Sequence, residues 1–285
     1  MVREARRPAH LLVLLATLLA VVATVGGPAR AQRSGEEPPA GVSADPPAAE
    51  WEEVERLVGD QKYEAAVEAV GRIREAAKAR GDAEEWARAL GEETALRMGL
   101  HGYETAVRFL REQPWPEDPL QRAALNLVYA RSLVNYVQTY SWEIRQRERV
   151  EAKEEVDLKA WTADQIAAEA RRAFVGAWEL REELGTLPVS RLSRFLEPNT
   201  YPTEVRGTLR DAVSYLFVEL LADSSLWSPA QSNHLFRLDF DSLLAGEPAA
   251  SATLKLDDPA VHPLAALGAV LDDLEAWHTR VGPPE

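Results

Sequence analysis

Five histidines, His10, His101, His234, His262 and His278, are the side chains best suited to move a proton or hold a metal ion in this 285-residue chain. No two of them stand four residues apart, and no His-Glu-x-x-His segment occurs. The spacing that sets two imidazoles on one helix face for zinc is therefore missing. Each histidine is expected at the surface or at a helix cap. Nucleophile and phosphate signatures are missing too: there is no Gly-x-Ser-x-Gly elbow, no Walker loop and no Rossmann glycine pattern. The chain holds no cysteine, which excludes thiol catalysis, a thioester and cysteine-ligated zinc within it. No cofactor, no metal and no catalytic residue is expected.

Three local patterns need weighing. Asp239-Phe240-Asp241 has the spacing of an Asp-x-Asp phosphatase loop. That chemistry needs a buried strand ahead of the loop, whereas the residues ahead of it read as a capped helix, so an Asp cap is the better reading. The charged run at 143–155 (EIRQRERVEAKEE) reads as a solvated helix face, with Glu143 and Arg147 a favourable i,i+4 pair. The eight tryptophans read mostly as packing between helices. Trp115 and Trp227, in loops beside prolines, are the least suited to a core. A helical lytic transglycosylase would need a catalytic glutamate in a Glu-Ser context, and no such dipeptide occurs.

The elements that would carry these residues are helices. From Trp51 onward apolar residues recur at helical spacing, and no segment alternates as a strand would. Tyr63-Glu64-Ala65-Ala66-Val67 recurs as Tyr103-Glu104-Thr105-Ala106-Val107, an offset of 40, with Val70 and Leu110 in register. Each block is expected to open the second helix of a hairpin, the first helices lying near 48–58 and 83–98. These are tetratricopeptide-like hairpins, though with a longer period than usual. Two repeats are too few to stand alone, so they must lean on the helices C-terminal to them.

Farther on, Asp118-Pro119-Leu120-Gln121, Thr162-Ala163-Asp164-Gln165 and Ser228-Pro229-Ala230-Gln231 read as capping boxes. The first opens a helix through Val128, Leu133, Val137 and Ile144. The second opens one through Ile166 and Phe174 that stops near Gly185. Val205, Leu209, Val213, Leu216, Phe217, Leu220 and Leu221 mark the most apolar helix, expected at the centre. Asp258-Pro259 is expected to lead into the last helix. The fold class is all-α: antiparallel hairpins packed with longer helices, about ten in all, and no sheet.

The ends of the chain read differently. Arg3, Arg6 and Arg7, an apolar run at 11–25 and Ala29-Arg30-Ala31 have the layout of a cleaved signal peptide over residues 1–31. The run of 15 residues is short of the roughly 20 that span a bilayer. Residues 32–50, with two Pro-Pro pairs, read as a disordered linker. Residues 51–285 then form one helical domain, with the hairpins in 51–117 and a helical array in 118–285. The mature chain is expected to be exported to the periplasm or the exterior, with no membrane span. Residues 1–31 hold four arginines and one glutamate, so their removal takes the net charge from −14 to −17. Nucleic acid and anionic membranes repel so acidic a chain. The partner is expected to be a protein.

Tyr63-Glu64-Ala65-Ala66-Val67, Trp142-Glu143-Ile144-Arg145, Asp157-Leu158-Lys159-Ala160-Trp161-Thr162 and Thr208-Leu209-Arg210-Asp211 together resemble the N-terminal helical region of bacterial alpha-macroglobulin-like proteins. The likeness covers most of residues 51–245. It implies a place at the head of a very large exported protease trap, whose β-sandwich domains, bait region and thioester are not in this sequence. No functional residue carries over. The expectation is a non-catalytic docking or structural module, partnered by C-terminal sandwich domains. The alternative is a free-standing repeat-like adaptor that binds an envelope protein or peptide.

Overall fold

A computed structural model describes residues 46–148, 157–196, 201–238 and 254–281. The segment read as a signal peptide, with His10, the Asp239 and Asp241 pair, and residues 149–156 of the charged run lie outside them. Among the described residues the chain is all-helical and has no strand. One antiparallel bridge joins Pro188 to Thr208.

Among the described residues, nine helices of six residues or more carry the fold: α1 (Pro46–Gly59), α2 (Tyr63–Arg80), α3 (Ala83–His101), α4 (Tyr103–Glu112), α5 (Pro119–Thr139), α6 (Ala163–Trp178), α7 (Leu209–Ala222), α8 (Pro229–His234) and α9 (Pro263–Val281). Single turns at Ser141–Ile144, Arg181–Leu184 and Thr203–Arg206 lie between them. Helix α1 begins inside the stretch read as linker. Two prolines fit there because a helix's first N–H groups have no intrahelical partner to lose.

Three tight joints set up the hairpins. At each, one residue takes positive φ: Gln61 at 60°, Gly81 at 71° and Gly102 at 84°. After α2, the Gly81 N–H bonds to the Lys78 carbonyl and the Asp82 N–H to the Ala77 carbonyl, which closes the helix end. Asp82 then caps α3 by accepting from the Glu85 N–H at 3.1 Å. Gly102 alone separates α3 from α4. Tyr63 and Tyr103 are the first residues of α2 and α4, as the repeat requires. Ala66 and Ala106 are fully buried, and so are Val70 and Leu110.

Two apolar clusters divide the interior of the described residues. Trp51, Val54, Val70, Ile73, Ala89 and Leu96 belong to a small cluster of α1, α2 and one face of α3. Ala87 and Leu90, on the other face of α3, join Tyr103, Val107 and the rest of the molecule in the main core. The boundary therefore runs through α3, and the second hairpin packs with the array.

The centre of that core is α5 rather than α7. Helix α5 buries thirteen residues and α7 seven. Helices α3, α4 and α6 all pack on α5, and its buried Ala123, Ala124 and Ala130 let them come close. Leu216 and Leu220 are only half-buried at the rim of the core, and Val205 lies ahead of α7 and is 50% exposed. Hydropathy alone ranks α7 first because it does not register neighbours on every side. Helix α5 also ends at Thr139, so Ile144 sits in the next turn, where it is buried. The second box opens α6, which ends at Trp178, and a separate turn reaches Leu184.

Candidate functional site

A cleft of about 340 Å³ lies beside α5 and α6. Asn126 and Tyr129 come from α5, Glu169, Arg172 and Ala173 from α6, Arg111 from the end of α4, and Trp115 and Trp161 from the connecting loops. The two long helices approach closely at one point. A Cβ on Gly176 would stand 3.3 Å from the Asn126 side chain.

The loop tryptophans are fixed by the backbone around them. The Trp115 indole donates to the Leu110 carbonyl at 2.8 Å, so it caps the end of α4 while its ring meets Tyr129 edge-on at 6.4 Å. Trp161 precedes Thr162, which caps α6 in a full capping box with Gln165. A second anchor holds the same loop. Arg147 donates to the Leu158 carbonyl at 2.5 Å, the Trp161 carbonyl at 3.2 Å and the Tyr136 hydroxyl at 3.1 Å. Tyr136, fully buried in α5, donates in turn to Glu104 at 3.2 Å. Arg147 keeps its pairing with Glu143 at 3.0 Å, yet its side chain is only 13% exposed. It does not lie on a solvated face, because an arginine can satisfy two loop carbonyls that water no longer reaches.

Inside the cleft the Glu169 carboxylate is engaged by two neighbours. Tyr129 donates to one Glu169 oxygen at 3.1 Å, and Arg172 donates from Nε to the other at 2.9 Å. Burial, with the Glu169 carboxylate beside it, pushes the Tyr129 phenol far above its ordinary range, so it remains a proton donor throughout the physiological range. The aromatic faces and the two guanidinium groups are what the cleft presents. Trp, Tyr and Arg are the side chains that most often dominate binding energy at protein interfaces.

The histidines do not converge on the cleft. His101 and His234 are exposed. His278 pairs with Asp211 at 2.7 Å, and Asp211 also completes a capping box with Thr208 at the start of α7. His262 is buried and caps α9, accepting from the Leu264 N–H at 3.1 Å while its other nitrogen meets the Gln231 carbonyl at 3.0 Å. The last helix thus starts at Pro263, and Asp258 instead closes a turn through the Ala260 N–H. Among the described residues no group of three His, Asp or Glu side chains is arranged to hold a metal ion, and no helix is long and apolar enough to cross a membrane.

Trp115 was legible as a residue poorly suited to a core. It turns out half-buried, facing both the core and the cleft. Trp227 instead donates to the Leu221 carbonyl at 3.0 Å and packs edge-on against His262. Arg111, Asn126, Tyr129, Glu169 and Arg172 carry no local signature. Only the packing of α4, α5 and α6 brings them together. Compared with known proteins, the chain matches no family model, no curated protein and no solved structure.

Proposed function

We propose that this chain is an exported, non-catalytic helical docking module that receives a protein partner at the cleft between α5 and α6. The observation that carries this reading is the lining itself. Trp115, Tyr129, Trp161, Arg111 and Arg172 surround a recess whose one carboxylate is tied to two neighbours. That arrangement suits recognition of an apolar side chain flanked by an acidic one better than bond cleavage. The partner expected from the resemblance is a β-sandwich domain of an alpha-macroglobulin-like trap. A free-standing adaptor for an envelope protein is the second reading.

The reading frame immediately downstream separates the two, since a long frame encoding sandwich domains favours the first. Binding is tested by titrating such a domain onto the chain. Trp115→Ala and Arg172→Glu should each weaken the complex by roughly tenfold or more, and rising salt should weaken it further. The chain alone should neither inhibit a panel of proteases nor turn over peptidoglycan or phosphate esters. Stoichiometric protection of a protein substrate, or turnover, would move an enzymatic reading to the front. Export is tested by N-terminal sequencing, which should find Gln32 first.

A further inference from the structure

The cleft beside α5 and α6 combines its aromatic rings with a hydrogen-bond donor that lacks an acceptor. Trp161 lines the cleft and is only 8% exposed. Its indole N–H has no hydrogen-bond partner among the described residues, yet it is not sealed from solvent as those of Trp86 and Trp178 are. The other loop indoles are spent, Trp115 on the Leu110 carbonyl and Trp227 on the Leu221 carbonyl. The backbone at Trp161 is held on both sides: Arg147 donates to its carbonyl at 3.2 Å, and Thr162 caps α6. A donor fixed in this way against aromatic rings calls for a carbonyl from whatever fills the cleft.

Peptides dock on proteins in a few physical modes. Strand addition needs a sheet edge, and the described residues contain no strand. A helix in a groove needs an apolar stripe several turns long, whereas Asn126, Glu169, Arg111 and Arg172 interrupt the rings here. A polyproline II segment needs neither. It makes no hydrogen bonds of its own, so its carbonyls stay open to a donor such as an indole N–H. Its proline rings pack on aromatic faces, and Trp115 meets Tyr129 edge-on at 6.4 Å, with Trp161 in the same lining. The charge is complementary as well. Two guanidinium groups stand against one carboxylate, and that carboxylate already accepts from Tyr129 and Arg172. An acidic side chain next to the prolines completes the match.

We infer that the cleft takes an extended, acidic, proline-containing segment of the partner protein, with the Trp161 indole N–H donating to a carbonyl of that segment and its acidic side chain accepting from Arg172. This specificity rests on the docking role proposed for the cleft and names the part of the partner that is recognised.

The test follows the Trp161 indole N–H and the arginine side chains of the full chain by NMR as acetyl-Ala-Glu-Pro-Pro-Ala-amide is added. Parallel titrations use the same peptide with Gln for Glu, with Ala for both prolines, and a proline-free phosphoserine pentapeptide. The first peptide should shift the Trp161 indole saturably, and losing either the acid or the prolines should weaken binding by roughly fivefold or more. Trp161→Phe keeps a ring but removes the donor, and should weaken binding by a similar factor. Arg172 is exposed at the surface, so Arg172→Gln stays informative even if Trp161→Phe does not fold. It should weaken the Glu peptide and leave the Gln peptide unchanged. No saturable shift, equal binding of the alanine version, tighter binding of phosphoserine, or unchanged binding in Arg172→Gln would each overturn the assignment. Binding that appears only after Pro38→Ser and Pro39→Ser would overturn it too, because this chain's own Glu36-Glu37-Pro38-Pro39 would then be the occupant. If the peptides fail while a sandwich domain still binds and Trp115→Ala weakens it, only this specificity falls; if neither binds, the docking role falls with it.

Discussion

Two residues, His262 and Arg147, show how single side chains hold distant segments together. His262 accepts through Nδ1, so its proton sits on Nε2 and the ring is neutral. Burial lowers its pKa from the ordinary 6.5, and nearby His234 and Arg171 add to this, while the Gln231 carbonyl works the other way. The unfolded chain therefore binds a proton more readily than the folded one. His262's contribution to stability is complete above about pH 6.5 and falls as pH drops through the lower folded pKa. Melting at pH 7.5 and 5.5 should show a larger loss for the native protein than for His262→Asn, which keeps a capping side chain but does not titrate. Equal losses would contradict the cap. Arg147 gives the second case. Arg147→Met strands the Leu158 and Trp161 carbonyls and should cost about 2–3 kcal/mol in denaturant unfolding. Arg145→Ala, at the exposed neighbour, should change stability by about 0.5 kcal/mol or less.

Helix ends were the most legible elements, and helix rank the least. Asp118, Thr162 and Ser228 all cap the helices their sequence signatures announce, because a cap is decided by residues within one turn. The 40-residue echo of the Tyr-Glu blocks likewise places two helix starts correctly. The central helix was misjudged because burial depends on neighbours remote in sequence, and the cleft was invisible for the same reason. The consequence for α7 is testable. Phe217→Asp, with its ring fully buried against Phe174, should cost several kcal/mol of a stability of about 5–15 kcal/mol. Leu216→Asp, half-buried at the rim, should cost clearly less; equal losses in thermal melts would refute the burial pattern. At the α3–α4 joint, Gly102 has φ 84° and ψ 173°, a conformation open essentially to glycine alone. Gly102→Ala should lower stability by about 1–3 kcal/mol.

Across the whole molecule, the division of the interior predicts unequal stability. Helices α1 and α2 pack in the small cluster and meet the main core chiefly through α3, with Arg74 of α2 also reaching Gln113 and the Phe109 ring. Native-state hydrogen exchange should find their amides opening at lower free energy than those of α5 and α6. Uniform protection would mean that the two clusters unfold as one. Farther along, the far end is tied by arginines. Arg171 donates to the Leu256 and Val261 carbonyls, and Arg210 bridges Asp273 at 2.7 Å and Glu182 at 2.8 Å. With Arg147, three long-range ties rest on guanidinium groups, in a chain with 27 arginines and 5 lysines. Guanidinium stays protonated far into alkali and does not react with amine-directed reagents. Acylating every lysine with such a reagent would therefore leave these cross-links intact, and the protein could be labelled to completion on its amines while its helices stay in place.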